Sequence, residues 1–126
     1  MKDMLRVGDV VCANYNGFNG EPKVGIFLII YSEKQDRMYT TGHTNINCAK
    51  ITTNNLLGNS YTVRLKSGEA NLTDDCIVNL SKQHVFVKEQ LYKKLGSISA
   101  TSMFNVFKEL RAFNNEIEQQ ILENIY

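Results

Sequence analysis

The sequence predicts a mainly β domain, a small curled barrel or sheet, with helices closing its C-terminal end. Three observations predict it. The first two-thirds carry short runs of β-forming residues separated by Gly- and Asn-rich turns. The last third carries an apolar stripe at helical spacing. At 126 residues and 43% hydrophobic, the chain can bury one core without disulfide or metal staples. No repeat, low-complexity tract or linker divides it. Residues 1–126 therefore read as a single domain, with the β part at about 6–87 and helices at about 88–95 and 100–124.

The elements follow in order. Residues 7–13 read as a strand starting at the Gly8-Asp9 corner. Asn16-Gly17 and Asn19-Gly20 are strong turn signals, because both residue types tolerate positive φ. Ile26 to Tyr31 is continuously apolar, as suits a strand covered on both faces. Residues 32–37 are a polar turn, and Met38 to Thr44 reads as the next strand. Ile46 to Asn59, polar and asparagine-rich, is expected to be a long loop holding a short strand. Tyr61 to Leu65 alternates at period two. Residues 76–80 and 83–87 give a further strand, interrupted near Ser81.

Two helices are predicted next. Leu91 and Leu95 lie at i, i+4 in residues 88–95, with Gly96 placed as a C′ residue. The second helix follows Ser99, a good N-cap. Met103, Val106, Phe107, Leu110, Phe113, Ile117, Ile121 and Ile125 line one of its faces. Such a helix is longer than a small sheet can cover, so its last ten residues or so are expected to pack on another chain.

Composition removes several function classes. A net charge of +1 excludes bulk electrostatics as a basis for nucleic-acid binding, so any basic surface is local. Cys12, Cys48 and Cys76 are odd in number and lack ligand spacing, which makes them small buried hydrophobes. Asp74 and Asp75 beside Cys76 argue against a reactive thiol there. Nucleotide-loop, zinc-protease, hydrolase-elbow and metal-ligand motifs are absent, and neither a metal nor a cofactor is expected. No apolar run is long enough for a membrane span, and the expected compartment is the cytoplasm. Two histidines, His43 and His84, are the groups able to move protons near neutral pH.

The order of motifs resembles the MazF/PemK family of toxins from toxin-antitoxin systems. Arg6-Val7-Gly8-Asp9-Val10-Val11 is similar to the family's opening basic-x-Gly-Asp-Ile/Val strand. The glycine-bearing loop from Asn14 to Lys23 and the aliphatic strand 26–30 follow in the family's order. His43-Thr44-Asn45 stands in place of an Ile-Thr-Ser segment. The stretch from Leu72 through Ser99 looks like the family's Asp-Ser strand, its Gln-x-Arg strand and the short helix that precedes the last one. The match covers about residues 6–112.

The resemblance implies an SH3-like, PemK-like β-barrel capped by one short and one long helix. It implies a homodimer that cuts single-stranded RNA without a metal, in a groove that an antitoxin peptide blocks. Thr44 stands at the position of the catalytic threonine. The family's catalytic arginine falls at Gly25, and the arginine of the Gln-x-Arg strand falls at His84, after Gln83. The resemblance therefore assigns catalysis to Thr44, His84 and Lys23, the nearest cation to position 25. Arg6, Phe18, Lys23, His43 and Gln83 would bind the nucleic acid. Metal-free RNA cleavage needs a base for the 2′-hydroxyl, an acid for the leaving oxygen and a cation for the phosphorane charge.

Two other readings stand beside an endoribonuclease with a departed active site. One is a catalytically inactive MazF-like barrel that binds nucleic acid or a protein partner. The other is an unrelated small barrel serving as an interaction protein of a phage or mobile element. The charge is unevenly placed: twelve basic against nine acidic residues in 1–98, and two against four in 99–126. A mildly basic β part still accommodates a polyanion in a local groove.

Overall fold

The computed structural model describes residues 4–32, 39–40, 45–53 and 61–125. Six strands form its main sheet: β2 (Asp9–Asn16), β3 (Pro22–Ser32), β5 (Ile46–Thr52), β6 (Thr62–Leu65), β7 (Cys76–Phe86) and β8 (Leu91–Ser97). β1 (Leu5–Arg6) and β4 (Tyr39–Thr40) form a separate antiparallel pair. Among the described residues one α-helix, α1 (Ala100–Ile125), follows the strands. The strand order is β6-β7-β5-β3-β2-β8, with every neighbour antiparallel.

The β2–β3 hairpin forms where the two Asn-Gly pairs predict it. Gly17 donates to the carbonyl of Glu21 at 2.8 Å, and Gly20 takes the left-handed conformation that closes the turn. β3 is covered on both faces, which explains its unbroken apolar run. Leu28 and Ile30 join Val10, Ala49, Ile51, Val78 and Leu80 on the face that receives Val106 of α1. Phe27 and Ile29 join Val11, Ala13, Cys48 and Phe86 on the other face, along with Leu5 and Leu91. All of these residues are buried, and they form the two halves of the core.

The sheet is strongly curled but does not close as a barrel ladder. β6 and β8 are its end strands. The gap between them is spanned by a 3₁₀ turn, Glu69–Asn71, in which Ala70 and Asn71 have positive φ. Asn71 Nδ2 donates to the carbonyl of Leu95 at 2.7 Å. Gly96 lies so close to the Ala70 backbone that a Cβ there would sit 2.9 Å from its carbonyl carbon.

One sequence expectation is corrected. Residues 88–95 do not form a helix: only Lys88–Gln90 makes a 3₁₀ turn, and Leu91–Ser97 is strand β8. The cause is tertiary, because the open side of β2 needs a ladder partner and β8 supplies it. Asp9, fully buried at this junction, accepts from Ser97 Oγ at 2.6 Å and pairs with Lys94 at 3.3 Å. The short strand expected within Ile46 to Asn59 spans Ile46–Thr52 and is a central strand between β3 and β7.

The expected interruption near Ser81 is a β-bulge. The β5–β7 register jumps between Ala49 opposite Gln83 and Lys50 opposite Asn79. Asn79 Oδ1 accepts from both the backbone NH and the hydroxyl of Ser81, satisfying the displaced backbone locally. Ser99 caps α1 as expected, accepting from Ser102 NH at 3.1 Å. Glu69 in turn accepts from the NH and hydroxyl of Ser99, both at 2.9 Å, tying the helix start to the 3₁₀ turn. Met103, Val106, Leu110 and Phe113 turn toward the sheet; among the described residues no helix is long and apolar enough to cross a membrane.

Candidate active site

Strand alternation fixes which side chains share a face. The odd residues of β2, those of β3 up to Ile29, and the even residues of β5 fall on the Phe27 side. That face is buried at the end where Leu5, Ile29 and Ile46 pack, and it opens at the end where Tyr15, Gly25, Lys50 and His84 come together.

Ring geometry defines the open end. Tyr15 meets Phe27 edge-on at 5.5 Å and 86° between centroids and planes. His84 meets Phe27 at 5.1 Å and 71°, meets Tyr15 at 5.3 Å and 62°, and stacks on Phe86 at 5.7 Å and 4°. These ring contacts favour the observed orientation of the imidazole. Lys50 Nζ lies 4.9 Å from the Phe27 centroid and 5.5 Å from that of Tyr15, and it donates to the Tyr15 hydroxyl at 3.4 Å.

Gly25 is what admits this lysine. Lys50 lies opposite Phe27 in the β3–β5 ladder, and is therefore diagonal to both Gly25 on β3 and His84 on β7. A Cβ built on Gly25 would collide with Lys50 Nζ, and would also meet Phe27 Cε2 at 3.1 Å and Tyr15 Cε1 at 3.3 Å. The space a side chain at position 25 would begin in already holds an ammonium group. Burial lowers the pKa of His84 below the usual imidazole value, and the charges of Lys50 and Lys82 lower it further. The ring is consequently neutral at pH 7 and able to accept a proton.

The residues singled out by sequence are dispersed about this centre. His84 is in it. Lys23 lies on the same strand as Gly25, but its side chain runs across Gly17, where a Cβ would meet its Cε at 2.6 Å. Arg6 leans toward Asp9, with Nε 4.0 Å from the carboxylate. Gln83 Nε2 donates to the carbonyl of Leu80 at 2.8 Å. Phe18 stands fully exposed at the hairpin tip. His43 and Thr44 lie outside the described residues. A hollow of about 450 Å³ adjoins the cluster through Tyr15, walled by residues 14–16, residues 22–24 and Gln90.

Lys50 and Tyr15 are the site residues that sequence reasoning missed. Lys50 sits in the stretch expected to be a long loop holding a short strand, and Ile46, Cys48 and Lys50 already share the period of one strand face. Cys48 and Cys76 are poor nucleophiles by contrast. Burial pushes the Cys48 thiol up to about 12, and burial with Asp75, Glu69 and Asp74 nearby raises that of Cys76.

Neither a family model nor a curated protein matches the chain by sequence. Solved structures do match it by shape. An endoribonuclease in complex with its cognate antitoxin, from a Mycobacterial species, superposes with a TM-score of 0.65 at 20% identity, over 86% of this chain and 91% of that one. An endoribonuclease from a Mycobacterial species gives 0.63 at 19% identity, over 86% and 88%. The Mycobacterium tuberculosis toxin MazF-mt6 also gives 0.63 at 19%, over 84% and 96%. The chain has the fold of the MazF toxins, as the motif order implied.

Proposed function

We propose that this chain is a MazF-like endoribonuclease that cuts single-stranded RNA at the Tyr15–Lys50–His84 cluster. One observation carries the reading: a lysine ammonium occupies the space over Gly25, on an aromatic floor, beside a neutral imidazole. The arginine that the family resemblance places at position 25 is replaced here by a cation arriving from the neighbouring strand.

The chemistry follows from these groups. His84 accepts the proton of the 2′-hydroxyl as its oxygen attacks the adjacent phosphorus. The bond from phosphorus to the 5′-oxygen breaks, and Lys50 stabilises the charge that builds on the non-bridging oxygens. The Tyr15 hydroxyl supplies the proton to the leaving 5′-oxygen, and the His84 imidazolium then restores it. Proton count is conserved, and the products are a 2′,3′-cyclic phosphate and a 5′-hydroxyl. A base flanking the scissile phosphate enters the hollow beside Tyr15, where Lys23 faces the backbone. Thr44 and His43 are proposed to complete the site, and Arg6, Phe18 and Gln83 to guide the strand. An antitoxin segment covering the same face, like the antitoxin that accompanies one of the structural neighbours, would silence it.

The test compares cleavage of single-stranded RNA and DNA of one sequence. RNA alone is expected to be cut. His84→Ala should lower the rate about 10²–10⁴-fold, and Lys50→Ala about 10²–10³-fold. A His84→Ala variant that cuts as fast as the parent overturns the assignment. The second reading, a MazF-like scaffold that binds nucleic acid or a protein without cutting, is favoured by Gly25 and His84 standing where the resemblance places arginines. RNA bound but left intact by the unaltered protein would establish that reading instead.

A further inference from the structure

The face that carries Lys50 continues past the cluster to the end of the sheet. Residues paired directly across neighbouring strands share a face, so the ladder can be followed row by row. Lys50 on β5 lies opposite Asn79 on β7, and Asn79 lies opposite Thr62 on β6. In the next row Thr52 lies opposite Ile77, and Ile77 opposite Arg64. One step beyond the Ile26–Ile51 pair, Gly25 comes level with Thr52 and joins that row. Arg64 therefore stands on the same face as the ammonium held over Gly25. It is three strands over, or about 14 Å at the usual strand separation.

The charge along this path has one sign. β5, β6 and β7 contain no aspartate or glutamate. Arg64 and Lys66 are exposed, and among the described residues neither has an ion-pair partner. Both border a hollow of about 310 Å³ at the end of β6 and β7, whose walls include Thr53, Ile77 and Asp75. In strand order the Lys50 cluster lies between this recess and the hollow beside Tyr15. Asp75 is the discordant residue. Its carboxylate repels phosphate, and it is held in place by the Ser67 NH, which donates to Oδ1 at 2.8 Å. Such a group suits a hydrogen-bond donor. A phosphate then belongs at the arginine and lysine, and a base edge bearing an amino group belongs against Asp75. A stacked RNA strand advances about 3.4 Å per nucleotide and a splayed one further, so the recess lies about two to four nucleotides from Lys50.

We propose that this recess is a nucleotide subsite for RNA that crosses the Lys50–His84 cluster. Arg64 and Lys66 hold a phosphate, and Asp75 selects a base with an exocyclic amino group over uracil. The inference rests on the RNA-cleavage reading for its ligand, but binding alone tests it.

The probes are 2′-O-methyl oligocytidylate and oligouridylate of about ten nucleotides, which lack the attacking hydroxyl and differ at the base edge that carries the amino group. Fluorescence anisotropy with the full chain is expected to show tighter binding of oligocytidylate, by at least about fivefold. Asp75→Asn, which keeps an oxygen for the Ser67 NH, should bring the two probes to within about twofold. Arg64→Ala should weaken both about tenfold and lower the slope of log affinity against log salt by about 1. Arg64→Lys should restore that slope, because it restores the charge. Lys66→Ala should lower it as well. All three positions are exposed, and circular dichroism is expected to show the fold intact. Several results overturn the proposal: a parent that binds neither probe at low salt or both equally, a preference unchanged in Asp75→Asn, or a salt slope unchanged in Arg64→Ala. Failure of the cleavage reading shows separately. Ordinary RNA left intact by the parent removes the catalysis, while the probe results still establish the subsite.

Discussion

Gly25→Ala isolates the relation between β3 and Lys50. Gly25 does not need positive φ, so alanine meets no backbone penalty, and replacing glycine within a strand ordinarily stabilises by about 0.5–1 kcal/mol. The new Cβ, however, lands on Lys50 Nζ and crowds Phe27 Cε2 and Tyr15 Cε1. Nζ ends a flexible side chain and gives way first. Its departure breaks two cation–π contacts, each about 0.5–1 kcal/mol at a half-exposed site, and the bond to Tyr15. Loss exceeds gain, and the unfolding free energy from urea titration should fall by about 1–2 kcal/mol relative to the parent. Function should fall much further. With the ammonium displaced, RNA cleavage is expected to fall about 10²-fold or more. The His84 imidazole should titrate at higher pH, because one of the charges that lowers it has moved away while burial remains. The acid limb of the rate profile, which lies below the usual imidazole value of about 6.5 in the parent, should therefore move up. Proton NMR titration of His84 reads this without requiring activity. A variant with unchanged titration and unchanged cleavage would show that Gly25 does not hold Lys50 in place.

Two further outcomes concern the fold. Gly96→Ala should destabilise by about 1–3 kcal/mol, since its Cβ would press on the backbone of Ala70, which cannot swing aside as a side chain can; an unchanged thermal midpoint would remove Gly96 from the closure between β8 and the 3₁₀ turn. Burial works to raise the Glu69 carboxyl, but hydrogen bonds from Ser102 and Ser99 together outweigh it and hold it below the ordinary glutamate value. The charged form thus contributes stability above the unfolded value, and that contribution fades as pH falls through the lower folded value. Glu69→Gln should cost up to about 1 kcal/mol at pH 7, after allowance for solvent screening, and the gap should narrow in urea titrations near pH 3. A gap that is the same at both pH values would contradict the assignment.

What could be read from sequence was what local chemistry decides. The hairpin after β2 is written in Asn16-Gly17 and Asn19-Gly20, and the bulge in β7 in Asn79 and Ser81, whose bonds span two residues. The Ser99 cap and the helical stripe were equally local. β8 was misread for the opposite reason. Leu91, Lys93, Lys94 and Leu95 are good helix formers, but pairing with β2, some eighty residues earlier, overrides that preference. In the strand the two leucines do not share a face as a helix would have it: Leu91 packs beside Phe27 and Leu95 beside Val10. β5 was obscured by its polar flanks, and its identity as a strand depends on β3 and β7 on either side.

The candidate site shows why motif order along a chain and chemistry in space can part. A strand-by-strand reading registers Gly25 as a missing cation and looks for a substitute nearby in sequence, at Lys23. On a sheet, the nearest space to position 25 is reached just as well from the diagonal position on the neighbouring strand, where the lysine stem of Lys50 spans the separation. The two arrangements exclude each other, because an arginine at 25 would need the volume that Lys50 Nζ fills. Glycine at 25 is then a condition for the cation rather than its loss. The same displacement brings the ammonium diagonal to His84, where its charge adds to the burial that lowers the imidazole pKa, and in the proposed reaction the same charge would face the phosphate. An arginine that stood at position 84 could not accept a proton, whereas the histidine there can. The two departures from the resembled pattern, at 25 and at 84, are therefore coupled, and replacing either alone should leave a poorer site than the pair.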